Sequence, residues 1–265
     1  MNVAQACQKP GIGGLRSLLT ALVAGFSLFS SPGLADDWNI GIGIGAISAP
    51  EYLGAEDYQI RVLPAVDIAY RNQVFFNFYE GLSAYLYNRG DFRLKAGIAY
   101  QPGRYESSDE SLQGIGDIDD AAVYNLGAEY QLGLYTAFVS LRQHDGGTDG
   151  RQLQAGIQAF YALREELSSP RFLFNFTVNY SDEEFMQGYF GVDAEQSAAS
   201  GLPVYSAAAG IASVRAGVTG FYPLTRRWRI TGIMQYRKLV GDAADSPLVL
   251  DDDQLFGGIF LGYRF

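Results

Sequence analysis

The sequence has little of what most site chemistry needs. It has one cysteine, Cys7, and one histidine, His144, in 265 residues. One thiol cannot make a disulfide framework or a multi-cysteine metal site. Charged residues are 18% of the chain, below the roughly 25% of an ordinary soluble domain. Positive charge is scarcer still: 19 Lys and Arg stand against 29 Asp and Glu, for a net charge of −10. An acidic chain of this kind is not expected to bind nucleic acid. Beyond the N-terminal region there is no apolar run long enough for a membrane-spanning helix, which needs about 20 residues.

What is present is glycine, 32 residues, and aromatics, 14% of the chain with 18 Tyr and 17 Phe. This composition suits a β-rich protein facing something other than water and excludes a disordered chain, a coiled coil or a helical bundle. The first residues explain part of it. Lys9 and Arg16 precede a short apolar run over 18–29, then Ser30-Ser31-Pro32 and the small residues Gly33 and Ala35. That order predicts a secretory signal peptide, 1–35, cut after Ala35, and leaves 36–265 as a mature chain of one domain, the part read below as an outer-membrane β-barrel. Cys7 lies in the predicted leader, away from the cut, so lipid attachment at a mature cysteine is not expected.

The mature region alternates with a period of two. Over 58–70 one face carries Tyr58, Ile60, Val62, Pro64, Val66, Ile68 and Tyr70; Gln59, Arg61, Ala65 and Asp67 lie on the other. Similar dyads run over 38–47, 92–101, 121–132, 134–142, 152–161, 171–180, 211–222, 228–238 and 255–265. Aromatics close both ends of the apolar faces, as the two membrane–water interfaces demand. Short connections alternate with long ones, and the chain ends on a strand with Tyr263 and Phe265. Together these predict an all-β fold: a closed antiparallel transmembrane β-barrel with short periplasmic turns and longer acidic external loops. Tyr263 and Phe265 are the candidate signal for the barrel-assembly machinery. Segment 74–87 alternates throughout; splitting it at Tyr79-Glu80-Gly81 gives twelve strands and the required even count, with ten as the alternative. In the long loop after 180, Asp193, Gln196, Gly201 and Pro203 predict a short capped helix.

Charge is segregated along this pattern. Most of the 29 acidic residues fall in the long loops, a rim suited to lipopolysaccharide phosphates bridged by divalent cations. The short turns carry Arg71, Arg89, Arg164, Arg226 and Arg227, the candidate periplasmic partner surface. The inward faces carry Arg61, Asp67, Arg93, Lys95, Glu129, Arg142, Arg215 and Arg237, the candidate lumen network. Asp251-Asp252-Asp253 lacks the ligand spacing of a calcium-binding EF-hand loop. His144-Asp145-Gly146-Gly147 has the composition of a loop tip, and Ser140 stands too far along a strand to serve His144 as a nucleophile. No catalytic, cofactor or metal site is therefore assigned; the expectation is a non-enzymatic protein without cofactors.

Several blocks together resemble the MipA/OmpV family of outer-membrane proteins. They are Gly41-Ile42-Gly43, Pro50-Glu51-Tyr52-Leu53-Gly54, Asp57-Tyr58 with Pro64, and Tyr70-Arg71 before Phe75-Phe76. Further on come Gly81-Leu82, Tyr100-Gln101-Pro102-Gly103-Arg104, Tyr189-Phe190-Gly191-Val192 and Ser200-Gly201-Leu202-Pro203-Val204-Tyr205. Ala55 departs from the serine expected after the glycine. The resemblance implies a barrel in the Gram-negative cell outer membrane, in contact with lipid and lipopolysaccharide. It also implies a scaffold for a murein hydrolase and synthase: a lytic transglycosylase with a penicillin-binding protein. The alternatives are a narrow channel or binding barrel for small cationic solutes, or a surface adhesion or osmotic-response protein.

Overall fold

A computed structural model describes residues 37–78, 80–163 and 169–265. The predicted signal peptide, and Arg164 with it, lie outside the described residues.

The strands are β1 (Trp38–Pro50), β2 (Tyr58–Tyr70), β3 (Val74–Asn77), β4 (Gly81–Arg89), β5 (Phe92–Gln101) and β6 (Ala121–Leu132). They continue as β7 (Tyr135–Asp145), β8 (Arg151–Ala162), β9 (Arg171–Ser181), β10 (Gly210–Pro223), β11 (Trp228–Leu239) and β12 (Asp253–Arg264). Each pairs antiparallel with its chain neighbours, and β12 returns to β1 to close the barrel. The split of 74–87 falls where the sequence places it. An even count puts Trp38 and Phe265 at one end, with the short turns, which is the periplasmic end of an outer-membrane barrel.

The alternation fixes which side chains meet lipid. Ile60, Leu126, Ile157, Phe174, Phe176 and Ile259 point outward and are exposed. A lower ring of aromatics includes Trp38, Tyr70, Trp228, Tyr263 and Phe265; the Trp38–Tyr70 and Trp228–Tyr263 centroids are 4.8 and 5.0 Å apart. The upper ring is tied to the loops. Tyr100 donates its hydroxyl to Asp120, Tyr124 to Asp145, and Tyr236 to Asp253. Each of these three tyrosines thus keeps its ring at the apolar band and its polar tip on an aspartate in a loop or at a strand end.

The wall closes with one notch. Among the described residues, β2 pairs with β3 only over Asp67–Tyr70, while its whole length pairs with β1. Arg71 N–H donates to Asp37 O, and Asp57 O accepts from Glu51 N. Odd-numbered residues of β2 therefore turn their backbone groups to β1, and even-numbered ones face the open side. Pro64, which has no N–H, sits on that open side, where a strand tolerates proline. Ile60 and Val62, 78% and 65% exposed, flank this edge. The barrel closes, yet β3 is too short to cover the whole of β2.

The lumen is not uniformly polar. Ile47, Ala49, Phe256 and Phe260 pack inside, with Leu63, Ala65 and Ile233 against them. Glycine makes this possible: a Cβ on Gly45 would lie 2.2 Å from the Phe260 ring. The external loops form a cap with its own apolar packing. One cluster joins Tyr52, Ala55, Leu112, Ile115, Val192 and Leu248; a second joins Met186, Phe190, Ala207, Ala212, Leu239 and Ala243. Helix α2 (Ala194–Ser200) has the capping box expected at Asp193 and Gln196, and ends on Gly201 at φ 80°. Helix α1 (Glu183–Phe190) is not anticipated from periodicity. It is one face of apolar residues directly after β9, with Asp182 accepting from Phe185 N–H at 3.0 Å.

Candidate functional site

The interior divides into three zones along the barrel axis. At the periplasmic mouth a vestibule of about 890 Å³ opens between the short turns. Its wall includes Arg171, Arg226, Arg227, Arg229 and Arg264, facing Asp67. Strand ends and turns place these arginines: β9 begins at Arg171, β12 ends at Arg264, and Arg226 and Arg227 sit in the β10–β11 turn. Thr225 shapes that turn, its Oγ1 accepting from Arg227 and Trp228 N–H at 3.1 and 3.0 Å. Arg227 also donates to the Tyr263 hydroxyl at 2.9 Å, joining the basic turn to the C-terminal aromatic pair.

The middle zone is an ion-pair cluster beside a cavity of about 280 Å³. Arg93 lies 3.1 Å from Glu129, and Lys95 lies 3.3 Å from both Glu129 and Glu80. Glu80 was not among the expected lumen residues. It stands just before β4, its N–H donating to Asn77 Oδ1 at 2.7 Å, which leaves its carboxylate within reach of Lys95. Such a cluster fixes geometry more than it adds stability, because desolvation offsets most of the attraction.

The outer zone lies under the cap. A cavity of about 90 Å³ is bordered by Arg104, Arg142, Arg215 and Arg237, with Gln101, Gln152 and Asn179 among them. The expected lumen residues are therefore not one network. Arg93, Lys95 and Glu129 meet in the middle, Asp67 faces the vestibule, and Arg142, Arg215 and Arg237 gather below the cap with Arg104. Arg61 stays on β2 near the cap, donating to Gln59 Oε1 at 2.7 Å.

The expected periplasmic surface divides too. Arg71 pairs with Asp37 at 2.9 Å, and that guanidinium holds the Asp37 carboxyl below its ordinary range. Arg89 ends β4. Arg226 and Arg227 line the vestibule. His144 is corrected from loop tip to strand: it lies in β7, 2% exposed, with Phe185 at 5.2 Å and Gln152 Oε1 at 3.3 Å. The carboxylates of Asp252 and Asp253 both contact Lys238 Nζ at 2.8 Å.

A family model described as MltA-interacting protein MipA matches residues 42–265. The chain belongs to this family. It is 26% identical over 178 residues to outer membrane protein OmpV of Vibrio cholerae serotype O1, a match covering 67% of this chain and 66% of OmpV, just under two thirds of that protein. Among solved structures, an outer membrane channel from Pseudomonas putida F1 aligns at TM-score 0.45 and 9% identity, over 88% of this chain and 97% of the channel. OmpT of Vibrio cholerae aligns at TM-score 0.39 and 9% identity, over 87% of this chain and all of OmpT (100%). This MipA-family chain is an outer-membrane β-barrel of a Gram-negative cell.

Proposed function

We propose that this MipA-family barrel is a non-enzymatic scaffold that gathers murein-remodelling enzymes at its periplasmic end. The family description, an MltA-interacting protein, supports the murein side of this reading. The observation that carries it is the asymmetry of the two ends. Loops with their own apolar packing occupy the outer mouth, whereas the periplasmic mouth is a wide arginine-lined vestibule. A partner in the periplasm meets the second. A cluster of guanidinium groups suits an acidic surface, since each can hold a carboxylate through two parallel hydrogen bonds.

Reversing the charge at Arg226 and Arg227, which belong to an exposed turn, tests this. Capture of a lytic transglycosylase and a penicillin-binding protein from envelope extracts should fall, and wild-type capture should weaken with added salt, because exposed charges are screened beyond about 8 Å at physiological ionic strength. Reversal of Asp251, Asp252 and Asp253 should leave capture unchanged. Equal effects from both sets, or an effect of the outer set alone, would refute the periplasmic scaffold. Cation passage is not favoured, because arginines border the cavity beneath the cap.

A further inference from the structure

The cavity beneath the cap has an unusual wall. Arg104 comes from the loop after β5, Arg142 from β7, Arg215 from β10 and Arg237 from β11. Four separate parts of the chain thus bring guanidinium groups to one small space. The other polar residues on the wall are neutral: Gln101, Gln152, Gln154, Asn179, Ser213 and Gln254 among them, with Tyr52 and Tyr189. Among the described residues, no carboxylate belongs to the wall. Arg104 and Arg215 are only 5% and 3% exposed.

Arg104, Arg215 and Arg142 each donate to a neutral acceptor in this zone. Arg104 Nη1 donates to Tyr189 O at 2.9 Å, Arg215 Nη2 to Asn179 Oδ1 at 2.8 Å, and Arg142 Nη2 approaches Gln101 Oε1 at 3.4 Å. Arg104 Nε is buried with no hydrogen-bond partner. Such a donor is costly when it stays unsatisfied, and more so when it is charged. Four cations of one sign bordering a small space also repel one another strongly at low dielectric. An anion in the cavity relieves both costs. The mid-lumen cluster makes the contrast: there, Arg93 and Lys95 have Glu129 and Glu80 beside them.

We propose that the cavity beneath the cap is a binding site for one small oxyanion, of the phosphate or sulfate class, held by Arg104, Arg142, Arg215 and Arg237. The size fits: about 90 Å³, several times the roughly 10–15 Å³ that one water needs by the same measure, admits a small ion. A lipid headgroup carrying its acyl chains does not fit. The bound ion joins the cap to the wall, because Arg104 belongs to the cap while the other three arginines belong to strands. Arg104 is anchored there by the Arg104–Ile118 bridge, whose two backbone bonds measure 2.9 and 2.7 Å. This site is independent of the scaffold reading and lies at the opposite end of the barrel.

The test uses the folded full-length mature chain in detergent, exchanged into a buffer free of oxyanions, with inorganic phosphate as the probe and ionic strength held constant with sodium chloride. Equilibrium dialysis with labelled phosphate should show saturable binding near one ion per chain. Phosphate should raise the thermal midpoint and slow proteolysis of the cap. Arg104→Gln and Arg237→Gln, each checked for the heat-modifiable gel shift of a folded barrel, should weaken binding at least tenfold. Arg151→Gln, on the exposed rim, should bind like wild type. Sulfate should compete and chloride should not. Absence of saturable binding in the wild type would overturn the proposal. So would unchanged binding in both folded cavity variants, or competition by chloride at equal ionic strength. Loss of scaffold capture without loss of phosphate binding would count against the scaffold alone.

Discussion

Ile157 and Gln158 are neighbours near the middle of β8, and one peptide bond separates lipid from lumen. Ile157 points outward, 43% exposed, between Ala137 of β7 and Phe176 of β9. Gln158 points inward, onto the wall of the mid-lumen cavity that also holds Glu80 and Glu129. Ile157 lies about six residues from each end of β8. With a rise of about 3.3 Å per residue and a tilt near 40°, it sits roughly 13–15 Å along the barrel axis from the ends of the strand, near the middle of an apolar band about 25 Å tall. An arginine side chain cannot reach water from there without distorting the bilayer. Ile157→Arg should therefore cost about 2–4 kcal/mol, a factor of roughly 30 to 1,000 in the folding equilibrium, since 1.4 kcal/mol is tenfold. Gln158→Arg meets polar space and nearby carboxylates, and should cost less than about 1 kcal/mol. The assay is urea titration of the barrel folded in phospholipid vesicles, followed by Trp38 and Trp228 fluorescence and by gel mobility with and without heating. Equal costs for the two variants would refute the assignment of faces. Gly97 is a poor inward control, because a Cβ there would lie 2.2 Å from Ser83 Oγ.

Leu112 is fully buried at the centre of the first cap cluster. Leu112→Ala should cost the cap about 2–5 kcal/mol, seen as faster protease cleavage of the external loops with the heat-modifiable barrel intact; unaltered cleavage would show that the cap does not depend on this packing. Phe265 donates its N–H to Ile40 O at 3.1 Å and meets the Tyr263 ring edge-to-face at 5.0 Å. Deleting Phe265 should lower the yield of heat-modifiable barrel in cells, and a normal yield would remove its role in assembly. Burial, together with Asp109 and Asp57, raises the Glu51 carboxyl above its ordinary 4.5. The cap gains stability when Glu51 is protonated; that gain is full below 4.5 and is lost as pH rises through the elevated value. Protease resistance of the cap should thus increase from pH 7 towards 4.5, and Glu51→Gln should flatten that change. An identical pH profile in variant and wild type would exclude Glu51 as its source.

Much of the barrel was legible because a strand in lipid has few options. Its backbone must pair, so the segments must be strands of a closed sheet. The period of two then assigns every side chain to a face. That logic located all the spanning strands and the split of 74–87. The capped helix at Asp193 was legible for a local reason, since its signal needs only four adjacent residues. Helix α1 was harder: eight residues give little periodicity, although Asp182 before Glu183-Glu184 is a start signal visible in hindsight. Pro64 fits the alternation as an ordinary lipid-facing position, and only strand pairing shows that it marks an edge.

The candidate site was legible only as a set of inward residues. Alternation says that Arg93, Arg142, Arg215 and Arg237 point inward, but it says nothing about their heights, which depend on the register between strands. That register separates Arg93, beside Glu129, from the three arginines that converge with Arg104 below the cap. The cap escapes the sequence for the same reason. Tyr52, Leu112, Val192 and Leu248 lie in four different loops, and no local pattern marks residues that become a core only when the closed barrel brings their loops over one mouth. The sequence by itself determined the strands, their faces and the acidic outer loops, because those follow from spacing of two and from the solvent on each side. Among the described residues, tertiary structure alone decided which charges meet, that the outer end is covered while the periplasmic end opens into a vestibule, and that β2 pairs with β3 over only part of its length. Those depend on strand stagger and loop docking, which join residues far apart in the chain.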